Sequence, residues 1–278
     1  MKIILLIAFA FAGGLCLAQE TFRVVKTEGC LKFIYSDTCL KKNDVLSLTD
    51  SIVFASPDHF AVLMDTADQW ATLKVKDTVG YSQGRKLVFA ASGILEQNRV
   101  DTTRTTRGKS GEKGSFKDLF GDDRFAVIGD EARLNISSRE YPLNKEKYFV
   151  FDYTIDTLKI AKRLGFKEQV VRIQKNSLCE FEGQDLSRQR IDNVNLYYYE
   201  PLTKAAELLA SFDLVFISEE ELFTDFGEVV YNLSERKKKN LQTLYNALEL
   251  YFYTYYGKTD PAALKATIEK YIETISAQ

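Results

Sequence analysis

Between residues 22 and 95 the chain changes character every few residues. FRVVK, LKFIY, DVLSLTDSIVFAS, HFAVLMD, WATLKV and KLVFAAS are short runs rich in Val, Ile, Phe and Thr. Gly29, Asn43-Asp44, Pro57-Asp58 and Gly84 punctuate them. Runs of β-branched and aromatic residues bounded by turn residues read as strands. No long helical period intervenes, so residues 19–100 are expected to form a small β-barrel or sandwich.

Ahead of this β pattern stands MKIILLIAFAFAGGLCLAQE, with Lys2 followed by the apolar run Ile3 to Ala12, then Gly13 and Gly14 and further small residues. That order is the charged, apolar, small-residue order of a secretory signal. The apolar stretch Ile3 to Ala18 is sixteen residues, short of the roughly 20 that a spanning helix needs. Residues 1–18 are therefore read as a signal peptide cleaved after Ala18. A lipid-attachment site at Cys16 fits less well, because the bulky Leu15 precedes the cysteine. The expected location is outside the inner membrane, periplasmic or extracellular, with no stable membrane span after cleavage.

Export permits disulfides. Cys30 and Cys39 lie nine residues apart across an expected hairpin and are candidates for a bridge; the bland alternative is two small buried side chains. Cys179 is left over and is expected to lie buried in a strand. No C-x-x-C pair occurs and His59 is the sole histidine, so no zinc site is predicted. Acids and bases nearly balance, at a net charge of −2, which gives no basic excess for nucleic acid. The aromatic content, nineteen Phe and fifteen Tyr, is enough to build real cores.

Within the β pattern, Leu40, Asn43, Asp44, Leu46, Asp50 and Ile52 follow a spacing of the form L-x-x-G-D-x-L followed by D-x-I, with Asn43 in the glycine position. Asn also tolerates positive φ. On these residues the stretch 29–75 resembles the FecR-like and SH3-like β modules of bacterial envelope proteins. The resemblance covers about 45 residues. It implies a β module used for contact or sensing, and it carries over no catalytic residue.

Residues 101–124, with TTRTTRGKSGEKGS at their centre, lose apolar periodicity and read as an exposed linker. Arg104, Arg107, Lys109 and Lys113 in it are read as solvated charge rather than as a contact for anionic glycans or headgroups. Residues 125–218 return to strand-like runs, among them YFVFDYT, which puts Phe149, Phe151 and Tyr153 on one face. TLKIAKRLGF and TKAAELLASF also fit short helices, the second with Leu202, Ala205, Ala206 and Leu209 at helical spacing. The density of strand signals favours a mostly antiparallel second β domain.

Residues 219–278 read as helices. Glu219 to Asn232 is one; Ser234 is a candidate cap for the next, whose stripe is Leu241, Leu244, Tyr245, Leu248, Phe252 and Tyr255; Gly257 stops it; Asp260-Pro261 starts the last. The fold class is thus α+β: two β-rich domains followed by a C-terminal helical segment.

No reaction centre emerges. His59 follows Pro57-Asp58 in a turn, and neither Gly-x-Ser-x-Gly nor a P-loop nor GxGxxG occurs. The run Glu219–Glu221 suits a helix N-terminus. The run Arg236–Lys239 would sit unfavourably at the start of the long helix, with the acidic run as the obvious compensation. ELYFYTYYG places five aromatics in six positions, which one helical face cannot absorb. Core packing with the far side covered is the favoured reading; Tyr251, Tyr253 and Tyr256 are the candidate partner-binding residues under the alternative, an exposed surface for sugar stacking or protein docking. The leading expectation is a non-enzymatic binding or scaffolding protein of the cell envelope, with no cofactor and with an envelope protein or glycan as partner. The alternative is a hydrolase acting on envelope polysaccharide or protein.

Overall fold

The structure, a computed structural model, describes residues 20–75, 87–91, 95–98, 116–121, 124–186 and 191–277. The expected signal peptide (1–18), the central linker stretch (101–115) with its four basic residues, and Gly84 lie outside the described residues. The protein is α+β and divides into two compact units, Met1–Asn98 and Arg99–Gln278.

The first unit holds β1 (Thr21–Glu28), β2 (Leu31–Phe33), β3 (Val45–Ser47), β4 (Ser51–Phe54), β5 (Phe60–Asp65), β6 (Trp70–Lys74), β7 (Leu87–Ala90) and β8 (Leu95–Asn98). Its sheets have the orders β3-β1-β5-β6-β8 and β2-β4-β7, and all pairs are antiparallel. Phe22, Val24, Leu31, Leu46, Ile52, Phe54, Leu63 and Leu73 form one buried cluster that draws on both sheets. Each such side chain contributes about 1.5–3 kcal/mol on burial. Asn43, in the turn before β3, has φ +69°. That turn is held by Val24 N–H donating to Asp44 O and by Lys41 N–H donating to Asp44 Oδ2.

The second unit begins with α1 (Phe116–Phe120). It continues through β9 (Arg124–Ile128), β10 (Glu131–Asn135), β11 (Tyr148–Ile155), β12 (Leu158–Arg163), β13 (Gly165–Lys167) and β14 (Val170–Gln174). Then come α2 (Lys175–Cys179), β15 (Glu180–Phe181), β16 (Gln184–Asp185), β17 (Ile191–Glu200) and β18 (Ala205–Ile217). The main sheet has the order β12-β11-β17-β18-β9; β18 and β9 pair in parallel and the other neighbours antiparallel. Strand β11 alternates as its sequence demands, burying Phe149, Phe151, Tyr153 and Ile155. Rings pack inside: Phe120 stacks on Phe212 at 4.4 Å and meets Phe125 edge to face at 4.7 Å.

One open reading closes in favour of strand and one needs correcting. TKAAELLASF is not helical: Ala205 to Ile217 is strand β18, whose Ala206 and Leu208 sit opposite Tyr199 and Tyr197 of β17. Helix propensity differences of a few tenths of a kcal/mol per residue yield to a full ladder of cross-strand bonds and pairs. Cys179 is buried but ends the short helix α2 rather than lying in a strand.

Helices α3 (Glu219–Asn232), α4 (Glu235–Lys238), α5 (Leu241–Tyr255) and α6 (Pro261–Ser276) close the chain. Asn240, not Ser234, caps the long helix α5: its side chain accepts from Thr243 N–H at 2.9 Å. The basic run therefore ends the separate turn α4, where cations meet the negative pole. Lys238 pairs with Glu235 at 2.8 Å, while Glu219 pairs with Lys270 of α6 at 2.6 Å. The two runs do not compensate one another in the way their signs suggest.

After α5 the chain is fastened to the sheet. Gly257 has φ +81°, and a Cβ there would stand 2.5 Å from Arg124 O. Only glycine meets both conditions. Lys258 then runs beside β9, donating its N–H to Arg124 O at 2.9 Å and accepting from Ala126 N–H at 2.7 Å.

Candidate functional site

Cys30 and Cys39 are joined by a disulfide, with their Cα atoms 5.1 Å apart. The bridge closes CLKFIYSDTC, the segment that leaves strand β2 at Phe33. The base of this loop is tied on both arms: Leu40 N–H donates to Leu31 O at 2.5 Å, and Ala55 N–H donates to Cys30 O at 3.2 Å. Its tip is shaped by Ser36 N–H donating to Phe33 O at 3.0 Å, and by Ser36 and Thr38 hydroxyls 3.0 Å apart. The loop is thus a braced projection.

It displays two large apolar side chains beside the exposed Asp37 and Thr38. Ile34 is 57% exposed and Tyr35 74% exposed, and Val45 at the start of β3 is 59% exposed. Tyr35 does not swing free, since its ring stacks on Phe33 at 5.2 Å with the planes nearly parallel. Beside it lies a cavity of about 400 Å³ walled by Phe33, Tyr35, Leu40 and Val45 on its apolar side and by Ser36, Thr38 and Asp44 on its polar side. A large aromatic held in place beside a shallow hollow of mixed polar and apolar lining is an arrangement that anchors interfaces, because little rotamer freedom remains to be lost on binding. Sequence reasoning singled out the cysteines but not Ile34 or Tyr35. The available signal was the consecutive Phe33-Ile34-Tyr35 at a strand end, where alternation forbids burying all three.

His59 serves this loop. Its Nδ1 lies 3.1 Å from Cys30 N and 3.2 Å from Cys30 O. Its ring covers Gly29, φ +72°, where a Cβ would stand 2.0 Å from the imidazole. The sole histidine is therefore a brace behind the disulfide. Cys179 belongs to the other unit's core cluster, and burial pushes its thiol up in pKa, away from the reactive thiolate.

Of the two readings of the tyrosine-rich helix, core packing holds for two of its three candidates. Tyr251 and Tyr256 are buried, and both hydroxyls donate to Asp225 Oδ2 of α3, Tyr251 at 3.0 Å. Tyr255 stacks parallel to Tyr251 at 6.0 Å. A partner-binding role for Tyr251 and Tyr256 is thereby corrected to a core role; of the three candidates, Tyr253 alone stays on the surface, at 38% exposure. Helix α5 escapes the one-face limit because α3, α4 and α6 all pack against it, so its buried arc is wide. Desolvation first, and the Asp225 carboxylate beside it, hold both buried phenols well above the usual tyrosine range. Tyr253 is pushed up to about 12, by burial and then by Glu249.

Among the described residues no group of three or more His, Cys, Asp or Glu is placed to hold a metal ion, and no helix is long and apolar enough to cross a membrane. No protein family, curated protein or solved structure matches this chain.

Proposed function

We propose that this chain is an exported, non-catalytic binding or scaffolding protein of the cell envelope, and that it grips a protein partner through the loop closed by Cys30 and Cys39. The observation that carries the reading is the exposure of Ile34 and Tyr35 on a ten-residue segment closed by a disulfide and braced by His59. Ile34, Tyr35 and Val45 are exposed together, and grouped exposed apolar side chains mark interaction surfaces where scattered ones do not. The brace lowers the ordering cost of covering them. Aliphatic Ile34 and Val45 beside Tyr35 suit a protein surface, to which Ser36, Thr38 and Asp44 add polar contacts. The leader-like opening and the resemblance of residues 29–75 to envelope β modules support the location.

The test is retention of envelope proteins by the chain from residue 19 onward, compared with Tyr35→Ala and Ile34→Ser. The expected result is one partner held by the parent protein and weakened about tenfold or more by each variant, as interface anchors are, with unchanged thermal unfolding. Equal retention by all three proteins, or turnover of a generic polysaccharide or protein substrate, would remove the reading.

A further inference from the structure

The main sheet of the second unit has two unlike faces. The inner one buries phenylalanines, Phe149 and Phe151 of β11 and Phe212 of β18. The outer one carries tyrosines, and the register sets them side by side. Tyr148 of β11 lies opposite Tyr199 of β17; Val150 of β11 lies opposite Tyr197, which in turn faces Leu208 of β18. Alternate residues of a strand share a face, so these five side chains form one patch across three strands. The three rings are half-buried in the sheet surface, and Leu208 is 53% exposed. The buried phenols of Tyr153, Tyr251 and Tyr256 all donate hydrogen bonds. Those of Tyr148, Tyr197 and Tyr199 have no partner among the described residues. A ring with an unspent hydroxyl can pack and hydrogen-bond at once.

One cation belongs to this patch. Arg163 of β12 pairs with Val150 in the ladder, yet its guanidinium carbon lies 3.9 Å from the centre of the Tyr148 ring, two residues along. The side chain therefore leans away from Asp152, which stands two residues the other way on β11. Arg163 is exposed and makes no ion pair among the described residues. Its hydrogen bond to Asn144 O is long, at 3.4 Å. Of the carboxylates near that end of the sheet, Glu200 is taken by Lys147 at 2.9 Å, and Glu146 stands between Lys145 and Lys147 in the chain. The guanidinium charge is thus left uncompensated. A guanidinium held over a ring keeps N–H donors at its rim, in the fork that fits a carboxylate.

We infer that this outer face binds a sugar that carries a carboxylate. A pyranose offers an apolar C–H face and a rim of hydroxyls. The Tyr197 and Tyr199 rings take the face, and the unpartnered phenols take the rim. The carboxylate is forked by Arg163. Tyr148 is a near neighbour of both groups, its ring 5.7 Å from that of Tyr199 and 3.9 Å from the guanidinium, so a short saccharide spans them. The sheet topology favours a sugar over an extended peptide. Strands β11 and β17 are paired on both sides, so their main-chain groups are spent and only side chains remain to be recognised. The site uses no residue of the Cys30–Cys39 loop and stands or falls apart from it.

The experiment is titration of the ¹⁵N-labelled chain with trigalacturonate, following the Tyr197 and Tyr199 amides and the Arg163 side-chain N–H. Its methyl ester, which keeps the rings and loses the charge, and the acidic peptide acetyl-Glu-Glu-Glu-amide are further arms. Trigalacturonate is expected to shift all three signals with half-saturation near about 1 mM. The ester and the peptide should each bind about tenfold more weakly, the one for want of charge and the other for want of a stacking face. Arg163→Lys keeps the charge but loses the fork, and should weaken trigalacturonate about fivefold. Tyr199→Val keeps a strand former and loses the ring, and should do the same while amides outside the patch stay in place. Signals unmoved by trigalacturonate up to about 10 mM overturn the inference. Equal binding of the ester overturns it too, as does equal or tighter binding of the peptide, which would make the face a protein-docking surface. Parent-like binding by both variants in a folded protein has the same force.

Discussion

Replacing Tyr256 by Phe deletes one hydroxyl and keeps the ring. In the helical core that hydroxyl donates to Asp225 Oδ2, which also accepts from Tyr251 at 3.0 Å. All three residues are buried. A hydrogen bond to a charged group contributes about 1.5–3 kcal/mol net, and here the carboxylate loses a donor that water is poorly placed to replace. The second unit spans Arg99–Gln278. For a domain of that size each kcal/mol moves the melting temperature by about 2–4 °C, so Tyr256→Phe should lower it by about 3–12 °C. Tyr253→Phe is the internal control: its ring lies on the same helix at 38% exposure, and its cost should stay within about 0.5 kcal/mol. Urea unfolding followed by far-ultraviolet dichroism gives both values, and a Tyr251→Phe/Tyr256→Phe cycle should show coupling, since both donors share one oxygen. If Tyr256→Phe unfolds within error of Tyr253→Phe, the cluster is not a polar anchor of the helices.

Two further outcomes follow from the same physics. Reduction of Cys30–Cys39 opens a loop of ten residues, for which loop-closure entropy gives about 2.7 kcal/mol; calorimetry with and without reductant reads it, and partner retention should fall with it. Alkaline titration reports on the buried phenols. Tyr251 and Tyr256 are raised in the folded state, whereas the unfolded chain ionises them near pH 10. Their contribution is therefore complete below about pH 10 and is lost as pH climbs above it. Absorbance at 295 nm should show a late tyrosinate step that coincides with unfolding; early, fully reversible ionisation of every tyrosine would contradict their burial.

The sequence by itself determined whatever local patterning controls. The turn-punctuated runs of residues 22–75 became strands because alternation and turn chemistry act over four to eight residues. YFVFDYTI buried the face that its period assigns, and Asp260-Pro261 started α6 because a cap and a first-turn proline depend only on nearby backbone. Tertiary structure alone decided the rest. TKAAELLASF scores as a helix in isolation, yet β17 offers it a complete ladder, and partner strands are invisible to a local window. Nothing near Tyr256 in sequence announces Asp225, thirty-one residues away, so a buried anchor and a docking patch read alike until α3 is laid across α5. The pairing of Lys258 with the β9 edge likewise joins segments more than a hundred residues apart. Periodicity says which way a side chain faces; what it faces is set by contacts between distant segments, and those arise from the packing of the whole unit.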